Sequence, residues 1–169
     1  AAARICELPV SIVCLVDSER VWIKSVLGLN KVVEIPRTIG FCPYTINQEN
    51  IFEVCDASKD NRFHDNPLVK DEPHFRYYAG VPLITNDGYA LGTLCVMDYK
   101  PNELSEDKKT FLINMAKAAT AIIESKRTQE HKRISLEHRL GDVTEVALNE
   151  IYLINADTEK FVYANRTAQ

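Results

Sequence analysis

Residues 74–98, HFRYYAGVPLITNDGYALGTLCVMD, constrain the fold of this chain more than any other stretch. Two runs rich in apolar and β-branched residues flank Asn86-Asp87-Gly88, and that tripeptide supplies the positive φ a tight hairpin needs. The spacing predicts two antiparallel strands, the second ending in Gly92-Thr93-Leu94-Cys95-Val96-Met97-Asp98. Gly80 and Gly92 fall inside the strand patterns, where a missing side chain marks a bulge or the close approach of another group.

The flanking elements follow from the same reasoning. Residues 1–8 read as the last turns of a helix stopped by Pro9, and VSIVCLVD (10–17) as a central strand covered on both faces. Residues 20–27 alternate around Trp22 and Lys24 as a second strand. Thr38 is placed to cap a short helix over 39–46, with Pro43 in its first turn. A third strand is expected over 51–55. Residues 56–73 are polar and rich in Asp, Asn and Pro, which predicts a long loop with one short helix, built as a cover. Ser105 should cap a helix that packs Phe111, Met115, Ala118, Ala119 and Ile122 on the sheet. From Glu124 its surface turns charged, and Gly141 is the first plausible stop, which gives about 35 residues and roughly 50 Å. A helix so polar in its second half reads as a connector.

Bulk composition narrows the function classes. With 169 residues, 46% of them hydrophobic and 26% charged, the chain has room for one sizeable core plus appended elements. The net charge of −4 and the lack of a basic block argue against nucleic acid as a partner. No apolar run approaches the roughly 20 residues of a membrane span, and the N-terminus has no signal-peptide pattern, so a cytoplasmic protein is expected. The five cysteines, Cys6, Cys14, Cys42, Cys55 and Cys95, form no C-x-x-C pair and read as reduced packing residues.

No catalytic constellation stands out. His64 and His74 lie in the polar cover without a second ligand at zinc spacing, and read as exposed loop residues. His131 and His138 share a helix face, but neither is followed by the acidic residue and apolar stretch of a phosphoacceptor histidine. Asp56, Asp60, Asp65, Asp71 and Glu72 lack calcium-loop spacing, and there is neither a phosphate loop nor a nucleophile elbow. No metal site or cofactor can be named.

Taken in order, GFCPYTI (40–46), DNRFHDNPLV (60–69), RYYAGVPL (76–83) and GYALGTLCVMD (88–98) resemble a GAF domain over residues 1–125, its first helix lacking only the front. The resemblance implies an α+β fold: a central antiparallel sheet with helices on one face and a pocket under loops and short helices on the other. A long C-terminal helix and a short hairpin follow. It further implies a pocket wall of Tyr78, Gly80, Thr93, Cys95 and Met97, covered by Phe41, Cys42, Tyr44 and Phe63, with residues 56–78 as the lid. Some GAF domains bind a small molecule and others serve only to dimerise or relay, so both remain open.

Residues 142–169 resemble the start of a PAS domain, through Asn149-Glu150-Ile151-Tyr152 and Tyr163-Ala164-Asn165-Arg166. About 28 residues are too few for the roughly 100 that such a core needs. The expected organisation is thus a GAF domain (1–125), a connector helix (126–141) and a truncated PAS domain (142–169), in a bacterial signalling protein. Such proteins commonly end in a histidine kinase or a diguanylate cyclase. The function implied is noncatalytic regulation, with the ligand state relayed through the helix to an output domain of the same polypeptide. A homodimer is expected through the helices, with Phe111, Met115, Ile122, Ile134, Leu136 and Leu140 shared between core and partner, and through the exposed hairpin.

An enzymatic alternative comes from the same fold. Free methionine sulfoxide reductases are GAF proteins, and Cys42 stands where one of their cysteines is expected, but HFRYYA before Gly80 carries no nucleophile. Bilin attachment is a third possibility that lacks its cysteine-histidine pair.

Overall fold

The structure, a computed structural model, describes residues 2–30, 32–146, 152–154 and 161–164, with side chains described as far as Leu136. It falls into two compact units, Ala1–Ile122 and Ile123–Gln169.

The first unit is built on a six-stranded antiparallel sheet. Its strands are β1 (Val10–Val16), β2 (Arg20–Leu27), β3 (Glu34–Pro36), β4 (Phe52–Val54), β5 (Tyr77–Ile84) and β6 (Ala90–Asp98), in the order β3-β2-β1-β6-β5-β4. β1 is central, as its nearly uncharged sequence predicts. The β5–β6 hairpin closes over Thr85–Tyr89, with Gly88 at φ 86 in the turn. β3 was not anticipated. Three residues with a terminal proline carry too little alternation to read as a strand, and Pro36 is tolerated because β3 is an edge.

Antiparallel register sorts the residues into two faces. Tyr78 lies opposite Met97, Gly80 opposite Cys95, Ile12 opposite Cys95 and Cys14 opposite Thr93. These residues therefore share one face, together with Phe52 and Val54 of β4. Tyr77, Ala79, Val81, Leu94 and Val96 fall on the other, toward α1 (Ala2–Cys6) and α4 (Glu106–Val146).

Two expectations about α4 are corrected. Its buried line is Leu112, Ala116 and Thr120, exposed by 0, 1 and 4%, whereas Ala118 and Ile122 face outward and Phe111, Met115 and Ala119 flank the seam. The stretch Phe111–Ile123 is apolar around much of the helix, so two apolar lines at helical spacing coexist and spacing alone selects neither. Thr120 escapes an unpaired hydroxyl by donating to the Ala116 carbonyl (3.0 Å). The helix also runs through Gly141 to Val146. One interior glycine costs only about 1 kcal/mol against alanine, which cooperative propagation tolerates.

The short helix expected over 39–46 is divided. Arg37–Ile39 form a 3₁₀ turn, Gly40 is extended, and α2 covers only Cys42–Thr45 with Pro43 in its first turn. In the second unit, β7 (Tyr152–Ile154) pairs antiparallel with β8 (Phe161–Ala164). Asn149, Glu150, Ile151, Asn165 and Arg166 of the PAS resemblance lie outside the described residues, as do the side chains of Leu140, Leu153, Phe161 and Val162.

Candidate functional site

The face of the sheet away from α1 and α4 carries a cavity of about 310 Å³. Its floor comes from Ile12, Val21, Tyr78, Cys95 and Met97. Phe41 and Cys42 close one side, and Leu68, Glu72, Pro73 and Phe75 come from the cover. Ile23, Leu29, Asn30, Val32 and Ile35 complete it from the β2–β3 side. Nearly every lining group is apolar. Glu72 is the one charged side chain among the described lining residues, the composition of a site for a small apolar ligand.

The cover is held by local hydrogen bonds rather than by long elements. Asn66 caps α3 (Pro67–Lys70), its Oδ1 accepting from the Leu68 N–H (2.8 Å), while its Nδ2 donates to the Ile39 carbonyl (2.9 Å). That pair of bonds ties the cover to the 3₁₀ turn. Arg76 Nη1 donates to the Val69 carbonyl at 2.8 Å, anchoring the return of the chain to β5. Arg62, held by Asp60, lies over the rings of Phe52 and Phe63, 4.9 and 5.3 Å from their centroids. The guanidinium keeps the Asp60 carboxyl below the usual carboxylate range.

Tyr78 links the sheet to the cover. A Cβ at Gly80 would come within 2.2 Å of the Tyr78 hydroxyl oxygen, so glycine there makes room for the phenol to lie along the strand. The ring stacks on Phe41 at 5.0 Å, and the hydroxyl shares a hydrogen bond with Thr45 Oγ1 (2.7 Å). It also donates to Cys42 Sγ at 3.8 Å. Burial pushes the Tyr78 phenol well above its ordinary pKa, with the neighbouring Cys42 acting in the same direction.

The sequence-derived wall is thus distributed over two places. Phe41, Cys42, Tyr78, Cys95 and Met97 line the cavity. Thr93 lies on the same face, fully buried, with Oγ1 3.2 Å from Cys14 Sγ. Phe63 and Tyr44 do not line the cavity. Phe63 is enclosed in an aromatic cluster with Phe41 (4.6 Å) and Tyr44 (4.8 Å, edge-on), and Tyr44 is 41% exposed at its rim. Of the lid, residues 68–75 supply the lining groups. Sequence reading missed the contribution of Leu29 to Ile35. The available signal was an apolar group, Leu29, Val32, Val33 and Ile35, inside a connection that should otherwise be polar.

His64, His74 and His131 are exposed, and no group of three or more His, Cys, Asp or Glu among the described residues could hold a metal ion. All five cysteines are free thiols, with Cys55 the exposed one. No described helix is long and apolar enough to cross a membrane.

This sheet, helix layer and covered pocket define a class. The GAF domain family model matches residues 1–123, and the chain belongs to that family. A cyclic di-GMP phosphodiesterase of Pseudomonas aeruginosa is 38% identical over 132 residues, 78% of this chain but 22% of that protein, so the chain spans about a fifth of this relative's length. Among solved structures, the GAF domain of an Acinetobacter phosphoenolpyruvate-protein phosphotransferase superposes with a TM-score of 0.62 at 21% identity, covering 76% of this chain and 78% of that one. A free methionine-R-sulfoxide reductase from Neisseria meningitidis, solved with its substrate, gives 0.60 at 19% identity, covering 75 and 74%. At such identities the two structures establish the fold alone.

Proposed function

We propose that this chain is the sensory module of a bacterial signalling protein. Its cavity takes a small apolar ligand, and α4 carries the bound state to an output domain in the same polypeptide. The observation that carries this reading is the apolar cavity itself, closed by a cover pinned through a handful of hydrogen bonds. A ligand that prefers one arrangement of that cover shifts its population, and elements packed on the same sheet register the change. The family and the phosphodiesterase relative support a signalling role. The output is a cyclic-di-GMP-metabolising or histidine kinase domain, and residues 142–169 begin a PAS domain between the two. The domain itself is noncatalytic and cytoplasmic.

A homodimer through the helices belongs to the same reading. Ile122, Ile134 and Leu136 are exposed by 59, 52 and 59%, and pairing two helices would remove them from water.

The test is a fluorescence titration of the full chain with N-phenyl-1-naphthylamine, a neutral apolar fluorophore. Saturable one-to-one binding is expected, and it should be lost in Ile12→Phe, which adds bulk to the cavity floor. Binding that does not saturate, or that survives the substitution, would remove the pocket from the account.

A second reading, a free methionine sulfoxide reductase using Cys42, gains support from the position of Cys42 in the cavity wall beside Cys95. The lining argues against it. Free methionine sulfoxide is a zwitterion, and no cationic side chain stands among the described lining residues to meet its carboxylate. A sulfoxide turnover assay with Cys42→Ser as control separates the two.

A further inference from the structure

The exposed lining residues mark the mouth of the cavity. Among those described they are Asn30, Val32 and Glu72, so the mouth lies between the β2–β3 connection and the cover segment 72–75. Its two lips are built differently. Gly28 packs against the start of β1: a Cβ there would lie 1.9 Å from the Pro9 carbonyl oxygen, and its φ of 86 favours glycine. The facing lip turns at His74, whose φ of 59 is left-handed backbone that a residue with a Cβ holds at a cost. The Phe75 N–H then donates to the Leu68 carbonyl (2.9 Å), within the cover itself. One lip is fixed to the sheet and the other to the cover.

Tyr99 spans both. It follows β6 directly, and its N–H donates to Asp98 Oδ1 (2.7 Å), which holds its backbone at the end of the sheet. Its ring stacks on Phe75 at 5.4 Å with the planes 9° apart, and its hydroxyl donates to the Gly28 carbonyl at 3.4 Å. Phe75 is a buried lining residue, and Gly28 immediately precedes Leu29, another lining residue. Tyr99 itself is 40% exposed. A bond of 3.4 Å is longer than the ordinary O–H···O distance of roughly 2.7–2.8 Å, and a hydroxyl so near solvent can exchange it for water at little cost. The stack on Phe75 is the stronger half of the closure.

We propose that Tyr99 is the latch of this cavity: an apolar ligand passes between Gly28–Asn30 and Glu72–Phe75, and each passage requires the phenol to leave the Gly28 carbonyl and the Phe75 ring. This rests on the cavity being the sensory pocket proposed above. The latch is shut over the empty and the filled cavity alike, so it sets the rates of exchange and leaves affinity to the walls. For a sensor, that fixes how long one binding event lasts without changing the ligand concentration to which it responds.

Stopped-flow fluorescence of the full chain with N-phenyl-1-naphthylamine reads both rates, in wild type, Tyr99→Phe, Tyr99→Ala and Tyr89→Phe. Tyr89, 68% exposed in the turn between β5 and β6, is the control. Tyr99→Phe removes only the hydroxyl and should raise association and dissociation rates alike, by about threefold. Tyr99→Ala removes the stack as well and should raise both by about tenfold. In each the dissociation constant should move by less than about twofold, and Tyr89→Phe should match wild type. If Tyr99→Ala does not fold, Tyr99→Phe decides alone. Wild-type rates in the Tyr99 variants would overturn the latch, as would an equal acceleration in Tyr89→Phe. Faster dissociation with unchanged association would overturn it too, because that is the mark of a lost wall contact. All three of these outcomes leave saturable binding, and with it the sensory pocket, in place. A wild-type protein that shows no saturable binding would overturn latch and pocket together.

Discussion

Tyr77 and Tyr78 are neighbours on β5 and both are fully buried, yet they serve opposite faces of the sheet. Tyr77 turns toward the helices, where its hydroxyl donates to Glu53 Oε1 at 2.7 Å. The same carboxylate accepts from the Leu104 N–H (2.9 Å) and pairs with Lys109 of α4 (2.9 Å). Tyr78 turns toward the cover, and its hydroxyl meets Thr45 and Cys42 beside an open cavity. One face is closed by helices and a charged clasp. The other is closed by loops around space. The same strands supply both, so the stabilising face and the sensing face are separated by a single residue step and communicate only through those strands.

The largest effect should come from the helix face. Leu112→Ala removes a fully buried side chain between α4 and the sheet and should cost about 3 kcal/mol in chemical denaturation. Probe affinity per folded molecule should change only slightly, through the coupling by which α4 registers the bound state. A much weaker probe constant at equal folded fraction would mean that the faces are coupled more tightly than their packing suggests.

Next is the clasp. Burial works against an ionised Glu53, but the bonds from Leu104, Tyr77 and Lys109 outweigh it and hold the carboxyl below its ordinary value of 4.5. Its folded-state pKa is therefore depressed. The stabilisation is fully present above the unfolded value and is lost as pH falls through the folded one. Glu53→Gln should cost roughly 2 kcal/mol at pH 7, and the gap to wild type should close below pH 4.5 in denaturation curves. A gap independent of pH would show that the carboxylate charge contributes nothing.

Tyr77→Phe and Tyr78→Phe sharpen the comparison most. Each removes one buried hydroxyl from its hydrogen-bond partner and should cost about 1 kcal/mol. Only Tyr78→Phe should alter the N-phenyl-1-naphthylamine dissociation constant. An equal change in both would erase the distinction between faces.

The smallest effect on the fold is expected on the outer half of α4. Ile134→Lys combined with Leu136→Lys should change core stability by less than about 0.5 kcal/mol, since both residues are exposed. It should shift sedimentation of the full chain from dimer toward monomer. Unchanged sedimentation would take these residues out of the interface.

The sheet was legible because strand alternation, the Asn-Asp-Gly turn and the two interior glycines each point to one register. Gly80 in particular announced a close approach, although sequence could not say that the approaching group is the Tyr78 phenol from the same strand. The seam of α4 was not legible: Phe111, Met115 and Ile122 are as regularly spaced as Leu112, Ala116 and Thr120, and only the sheet chooses between them. The cavity was half legible. Tyr78, Cys95 and Met97 follow from register, whereas Phe63 and Tyr44 pack with each other because an aromatic residue in a cover meets other rings as readily as a cavity. Cys42 and Cys95 reach one cavity from α2 and β6, and residues that far apart in sequence come together only through tertiary packing.

Hydrogen–deuterium exchange of the full chain, with and without N-phenyl-1-naphthylamine, tests the separation of the two faces most directly. The account predicts slowed exchange at residues 41–46 and 66–76 of the cover, with the Leu112–Thr120 turns of α4 affected far less. Slowing confined to α1 and α4, with the cover unchanged, would contradict it.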